Sequence, residues 1–190
     1  LYVDLGRIHS ICVGAHFTFG HQRQGNVELL QRLGQEMNFI VHGLASISLD
    51  DETVSSTRIR QAIETGQLDA AGQMLGREYA LTGEVIQGDQ RGRELGYPTA
   101  NLEVDGLCLP PNGVYAAHAQ VGETTHRAAV NIGHRPTIAD AEPSLHVEAH
   151  LLDFEGDLYG QPLALTFVGK LRDETKFDSL DTLKTQIEKD

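Results

Sequence analysis

After residue 77 the chain breaks into short strand-like segments separated by glycine, proline and asparagine turns, and this restricts that part to an all-β unit. ALTGEVIQG, GVYAAHAQV, HRAAVNIG, SLHVEAHLLDF and LALTFVGKL are five strand candidates, several with two-residue alternation of apolar and polar side chains. Their regular spacing predicts an antiparallel barrel or sandwich. Only the final stretch, SLDTLKTQIEKD, changes period. It opens on a Ser cap and places Leu180, Leu183 and Ile187 on one helical stripe.

The texture before residue 77 is different. SICVGAHFTFG (10–20) reads as a buried strand and loop, and GNVELLQRLGQEM (25–37) carries Val27, Leu29, Leu30 and Leu33 at helical spacing. NFIVHGLASI follows as a strand, and SSTRIRQAIETG (55–66) reads as a capped helix ending at Gly66. This β-α-β-α order predicts part of a parallel α/β sheet. QLDAAGQMLGR reads as a short connecting helix, so the expected organisation is 1–66, a linker helix at 67–76, and 77–190.

A chain of 190 residues can bury a core without staples. Its longest apolar runs are a few residues, which predicts no membrane span, and no secretory signal pattern opens it. The two cysteines, Cys12 and Cys108, have no paired spacing and read as reduced thiols of a cytoplasmic protein. The net charge of −12 disfavours nucleic acid as a partner, because such binding depends on neutralising many phosphates. A small nucleotide remains possible, since a few local donors and a metal suffice for it.

Residues 82–102, TGEVIQGDQRGRELGYPTANL, concentrate the chemistry. Gly83, Gly88, Gly92 and Gly96 would let backbone N–H groups approach a ligand, with Arg91 and Arg93 in reach of phosphate oxygens. Thr99 and Asn101 flank Ala100, so an extended backbone puts both on one face, where their oxygens suit a Mg²⁺ already bound to nucleotide phosphates. Glycine spacing alone favours a plain hairpin loop with two solvated arginines. The loop has neither a closing Gly-Lys-Ser/Thr nor a helix after it, so it is no Walker or dinucleotide motif. Further on, the alternation in HVEAH sets His146, Glu148 and His150 on one face. That trio admits a general base, a zinc site or an ordinary polar strand face.

GEVIQGDQRGRELGYPTANL closely resembles the ATP-binding flap and PTAN motif of riboflavin kinases. GVYA (113–116), NIGHRPT (131–137), HVEAHLLDF (146–154), DLYG (157–160) and LRDETKFDSLDTLKTQI (171–187) agree with that family in order. The resemblance implies a six-stranded Greek-key barrel with a C-terminal helix, which transfers the γ-phosphate of Mg-ATP to riboflavin and yields FMN and ADP. It implies Glu148 as general base, Thr99 and Asn101 as metal and phosphate ligands, and Gly83, Gln87, Gly88, Arg93 and Tyr159 as further ATP contacts. Arg172 and Phe177 would meet the flavin. Asn112, Tyr115, Asn131 and Thr137 sit at expected strand ends, where either ligands or turns would use them.

The first 66 residues are similar to the later part of the adenylyltransferase half of bacterial FAD synthetases, a partial, Rossmann-like nucleotidyltransferase. VGAHFTFGHQRQGN (13–26) resembles its central loop, and Ser55, Ser56, Thr57 and Arg58 of SSTRIR its late phosphate motif. The family's HxGH motif belongs upstream of VGAHFTFG, and His16 and His21 are too far apart to supply it. With no initiator Met either, the expectation is a chain cut from a longer one, making FMN but not FAD, and monomeric. The competing expectation is a barrel that binds flavin or nucleotide without turnover.

Overall fold

The computed structural model describes residues 8–88, 92, 96–134, 145–175, 177 and 179–190. The chain divides into two compact units, Leu1–Val54 and Ser55–Asp190.

In the first unit, β1 (Ser10–Gly14) and β2 (Ile40–Leu44) pair in parallel, with α1 (Val27–Met37) between them in sequence. Asn26 starts that helix, its side-chain oxygen accepting from the Leu29 N–H at 2.9 Å, and Asn38 ends it in the left-handed conformation. β3 (Ser48–Leu49) and β4 (Glu52–Thr53) make a small antiparallel ribbon. The described part of this unit is thus one βαβ turn and a ribbon.

The second unit opens with α2 (Ser56–Glu64) and α3 (Leu68–Leu75). Ser55 caps α2 by accepting from the Arg58 N–H at 3.3 Å. Ala62, Ile63 and Ala71 form the core of the helix pair, joined by Tyr79 and Cys108 from the β part of the same unit. The candidate linker helix is therefore packed into this unit. Tyr79 also donates its hydroxyl to the Cys108 carbonyl and stacks on Phe167 with ring centroids 5.9 Å apart.

Six strands then close into an all-antiparallel barrel: β5 (Ala80–Ile86), β6 (Ala100–Leu102), β7 (Gly113–Val121), β8 (Thr124–His134), β9 (Leu145–Leu151) and β10 (Pro162–Arg172). Around the ring the order is β10-β5-β6-β9-β8-β7. β7, β8 and β9 follow one another as neighbours while β10 returns beside β7, which is a Greek key. The five strand segments expected from alternation are all strands, and β6 is the sixth. Three residues are too few for a period of two to register.

Alternation explains the interior. Val147, Ala149 and Leu151 of β9 point into the core, as do Val130 and Ile132 of β8 and Leu163, Leu165 and Phe167 of β10. Alanines at 117, 119, 128 and 149 leave room for large side chains opposite, among them Tyr115 and Phe167, packed edge to face at 5.4 Å. Each fully buried Leu, Val or Phe contributes about 1.5–3 kcal/mol of apolar transfer. Tyr115 is 1% exposed, with its hydroxyl on the Pro111 carbonyl at 2.5 Å, so it serves the core. α4 (Leu180–Ile187) closes the chain, its first turn held by a reciprocal box between Ser179 and Thr182.

Candidate active site on the outer face of the barrel

Because the inward positions of these strands are apolar, their alternate residues face outward. Register then aligns residues distant in sequence. Asn101 of β6 stands opposite Ile86 of β5 on one side and Glu148 of β9 on the other. Glu148 in turn stands opposite Asn131 of β8, Asn131 opposite Val114 of β7, and Val114 opposite Arg172 of β10. Directly opposed side chains share a face, with Cβ atoms about 4.5–5.5 Å apart. Asn101, Glu148 and Asn131 thus form a continuous polar row across three strands, with Arg172 two strands further on.

Asn101 is the buried member of the row, 6% exposed although it faces outward. Gly88 covers it: a Cβ at that position would come within 2.5 Å of the amide carbon of Asn101. Among the described residues no donor reaches its Oδ1. An unpaired buried acceptor costs about 1–3 kcal/mol, so Asn101 Oδ1 calls for a donor or a cation beyond those the described residues supply. Thr99 lies two residues back, just before β6. It is covered by Gly92, whose added Cβ would lie 3.3 Å from the Thr99 hydroxyl oxygen. The Tyr97 N–H donates to the Gly92 carbonyl at 2.8 Å, which holds Gly92 beside Thr99. An amide oxygen and a hydroxyl oxygen are hard ligands, and this donor set fits Mg²⁺.

Thr99 also lines a cleft of ≈ 440 Å³ with Pro98, Ala100, Ala149, Leu158 and Tyr159. The turn bearing Tyr159 is sewn to β5 by Gly160 N–H on the Val85 carbonyl and Val85 N–H on the Gln161 carbonyl, both 2.9 Å. Tyr159 itself is half exposed at the rim. Gln87 is exposed just before Gly88. Gly83 has a packing explanation, since a Cβ there would clash with the Glu103 carbonyl, and it is not among the residues lining the cleft. Arg91, Arg93 and Thr137 lie outside the described residues. Ser55, Ser56, Thr57 and Arg58 form the start of α2.

His150, two residues beyond Glu148, places Nδ1 2.8 Å from the Pro98 carbonyl. A carbonyl only accepts, so Nδ1 carries the proton. The Tyr97 ring meets that imidazole edge-on at 5.6 Å and its hydroxyl donates to Glu188 at 3.3 Å. Among the described residues no cluster of three or more His, Cys, Asp or Glu is placed to hold a metal, so His146, Glu148 and His150 do not converge as zinc ligands.

At the other end of the row, Arg172 makes a forked pair with Asp190, from Nε to Oδ1 at 2.9 Å and from Nη2 to Oδ2 at 2.7 Å. Its guanidinium lies 5.6 Å from the Phe177 ring centre. Burial pushes the Asp190 carboxyl up, but hydrogen bonds from Arg172 and Gln186 and the Arg172 charge outweigh it and hold the group below the usual carboxylate value. Glu174 fills the space a side chain at Gly133 would need, and Gly133 is opposite His146. Sequence reasoning missed Asp190 and Glu174, for which no local pattern exists.

Residues 75–190 match the riboflavin kinase family across more than half of the chain. The chain belongs to the riboflavin kinase family. Residues 2–58 match the FAD synthetase family. A bifunctional riboflavin kinase/FMN adenylyltransferase of Pseudomonas fluorescens is 38% identical over 190 residues, all of this chain and 61% of that protein. One from Haemophilus influenzae is 42% identical over 182 residues, 95% of this chain and 58% of that protein. The chain thus spans about three fifths of the length of these relatives. A solved structure from Streptococcus pneumoniae, described as a macrolide-efflux protein, superposes with a TM-score of 0.72 at 34% identity, covering 93% of this chain and 57% of that one. Among the described residues of the present riboflavin kinase family member, no helix is long and apolar enough to cross a membrane.

Proposed function

We propose that residues 75–190 transfer the γ-phosphoryl group of ATP to the terminal ribityl hydroxyl of riboflavin, giving FMN and ADP. The observation that carries this reading is the register that sets Glu148 beside Asn101, whose buried Oδ1 lacks a partner among the described residues. Phosphoryl transfer has a loose transition state, so the protein's work is positioning and charge stabilisation. Thr99 and Asn101 would hold Mg²⁺ through their side-chain oxygens. Bound there, the ion would neutralise charge developing on the phosphate oxygens. The cleft beside Thr99 takes the nucleotide, with Tyr159 at its rim against the base. Gln87 and Gly88 cover the phosphates.

Glu148 accepts the proton of the attacking hydroxyl, and Asn131 beside it offers an amide to the ribityl chain. Arg172 and Phe177 receive the flavin ring, the one by hydrogen bonding and the other by stacking. The adenylyltransferase named in the relatives' descriptions is a property of those longer proteins. The kinase domain, in this reading, includes the α2–α3 pair packed on it.

The test is incubation of the purified chain with riboflavin, ATP and Mg²⁺, with flavins separated chromatographically. FMN is expected only when all three are present. Riboflavin binding without ATP consumption would leave a binding barrel, and product formed without a divalent metal would remove the role given to Thr99 and Asn101.

A further inference from the structure

Asp190 follows α4 by three residues, yet its side chain is 6% exposed. Its Oδ1 accepts from Arg172 Nε at 2.9 Å and Gln186 Nε2 at 2.8 Å, and its Oδ2 from Arg172 Nη2 at 2.7 Å. Arg172 Nη1 donates to the Asp173 carbonyl at 3.2 Å. A guanidinium has five N–H donors in a rigid plane. Nε and one hydrogen on each Nη are committed among the described residues, which leaves one donor on Nη1 and one on Nη2. The plane is thereby fixed in two ways, by the carboxylate fork and by Phe177 at 5.6 Å. A lone surface ion pair contributes little to stability, but this one is forked, largely buried, and supported by Gln186.

We propose that Asp190 is a positioning residue for the flavin end of the site: it orients Arg172 so that the remaining Nη1 and Nη2 donors meet the acceptor edge of the bound isoalloxazine. This rests on the reading that Arg172 contacts the flavin. An Arg without the fork keeps its charge but samples several rotamers, so it would bind the flavin less often in the productive geometry. The nucleotide side, held by Thr99 and Asn101, shares no hydrogen bond with Asp190 among the described residues.

The experiment compares Asp190→Asn, Asp190→Glu, Arg172→Ala and the double variant that combines Asp190→Asn with Arg172→Ala. Readouts are KM for riboflavin, KM for ATP, kcat, riboflavin affinity by fluorescence quenching, and Tm. Asp190→Asn should raise the riboflavin KM and dissociation constant by about tenfold or more, with the ATP KM within about twofold. Asp190→Glu should recover part of the loss, and the double variant should be no worse than Arg172→Ala, as for residues acting through one group. A lowered Tm with both KM values unchanged in Asp190→Asn would make Asp190 a structural tie only and overturn the proposal, leaving the flavin reading intact. Unchanged riboflavin affinity in Arg172→Ala would overturn both. Should Asp190→Asn fail to fold, Gln186→Ala removes one support from the carboxylate; a smaller rise in riboflavin KM is expected, and no rise would overturn the proposal.

Discussion

Glu148 has two amide neighbours in register, and its carboxylate is the one group of the Asn101–Glu148–Asn131 row that can take a proton. Replacing it by Gln keeps the shape and one acceptor oxygen while removing proton acceptance. Turnover of Glu148→Gln should fall by about 10²–10⁴, the usual share of general-base catalysis, with riboflavin affinity nearly unchanged. Single-turnover FMN formation measures this, and a loss under about threefold would move the base elsewhere. Tyr79 makes a different prediction. Burial first, then the Cys108 thiol, push its phenol up from 10.0 to about 12, against a smaller opposing effect of Arg77. An acid whose folded pKa is raised stabilises the fold below its unfolded value and loses that contribution as pH climbs through the folded one. The window is therefore between about pH 10 and 12. Burial also pushes the Tyr97 and Tyr115 phenols up, so absorbance titration of tyrosinate should show a component near pH 12 that Tyr79→Phe removes.

At the scale of elements, β6 and the loop before it act together. Gly88 rests on the Asn101 amide and Gly92 on Thr99, so these two glycines are fitted to the strand that follows. Gly88→Ala would force the loop off Asn101. The expected result is a rise of about tenfold or more in the ATP KM, with the riboflavin KM within about twofold, since close backbone approach is lost only on the side proposed for the nucleotide. Equal effects on both substrates would show that the loop covers the whole row. Helix termini were readable from the chain, because Ser55 and Ser179 are local caps whose chemistry needs no distant partner. The outward face of HVEAH was readable for the same reason. β6 was not, since three residues acquire strand character only from β5 and β9 on either side. Nor was the meeting of Asn101, Glu148 and Asn131, which depends on pairing across dozens of residues, or the Arg172–Asp190 fork, which depends on where α4 comes to rest.

For the whole molecule, α2 and α3 belong to the barrel's unit, through Ala62, Ile63 and Ala71 beneath Tyr79 and Cys108. A fragment of residues 55–190 should keep FMN synthesis within about threefold of the full chain, as a domain with its own core does. A fragment of 75–190 would bare the surface that the two helices cover. It should melt several degrees lower, since exposing even a few buried side chains costs a few kcal/mol. Thermal scans and flavin assays on the two fragments check this, and equal melting temperatures would return the boundary to the β part alone.

The barrel is a ring with no first or last strand. A sheet that ends leaves a row of backbone donors and acceptors to which a neighbouring copy can add itself, and proteins commonly spend charges, prolines or bulges on defending that border. Here each of the six strands of the barrel has a paired neighbour on both sides. Its outer surface is released from guarding an edge, and the side chains there are left to be chosen for chemistry.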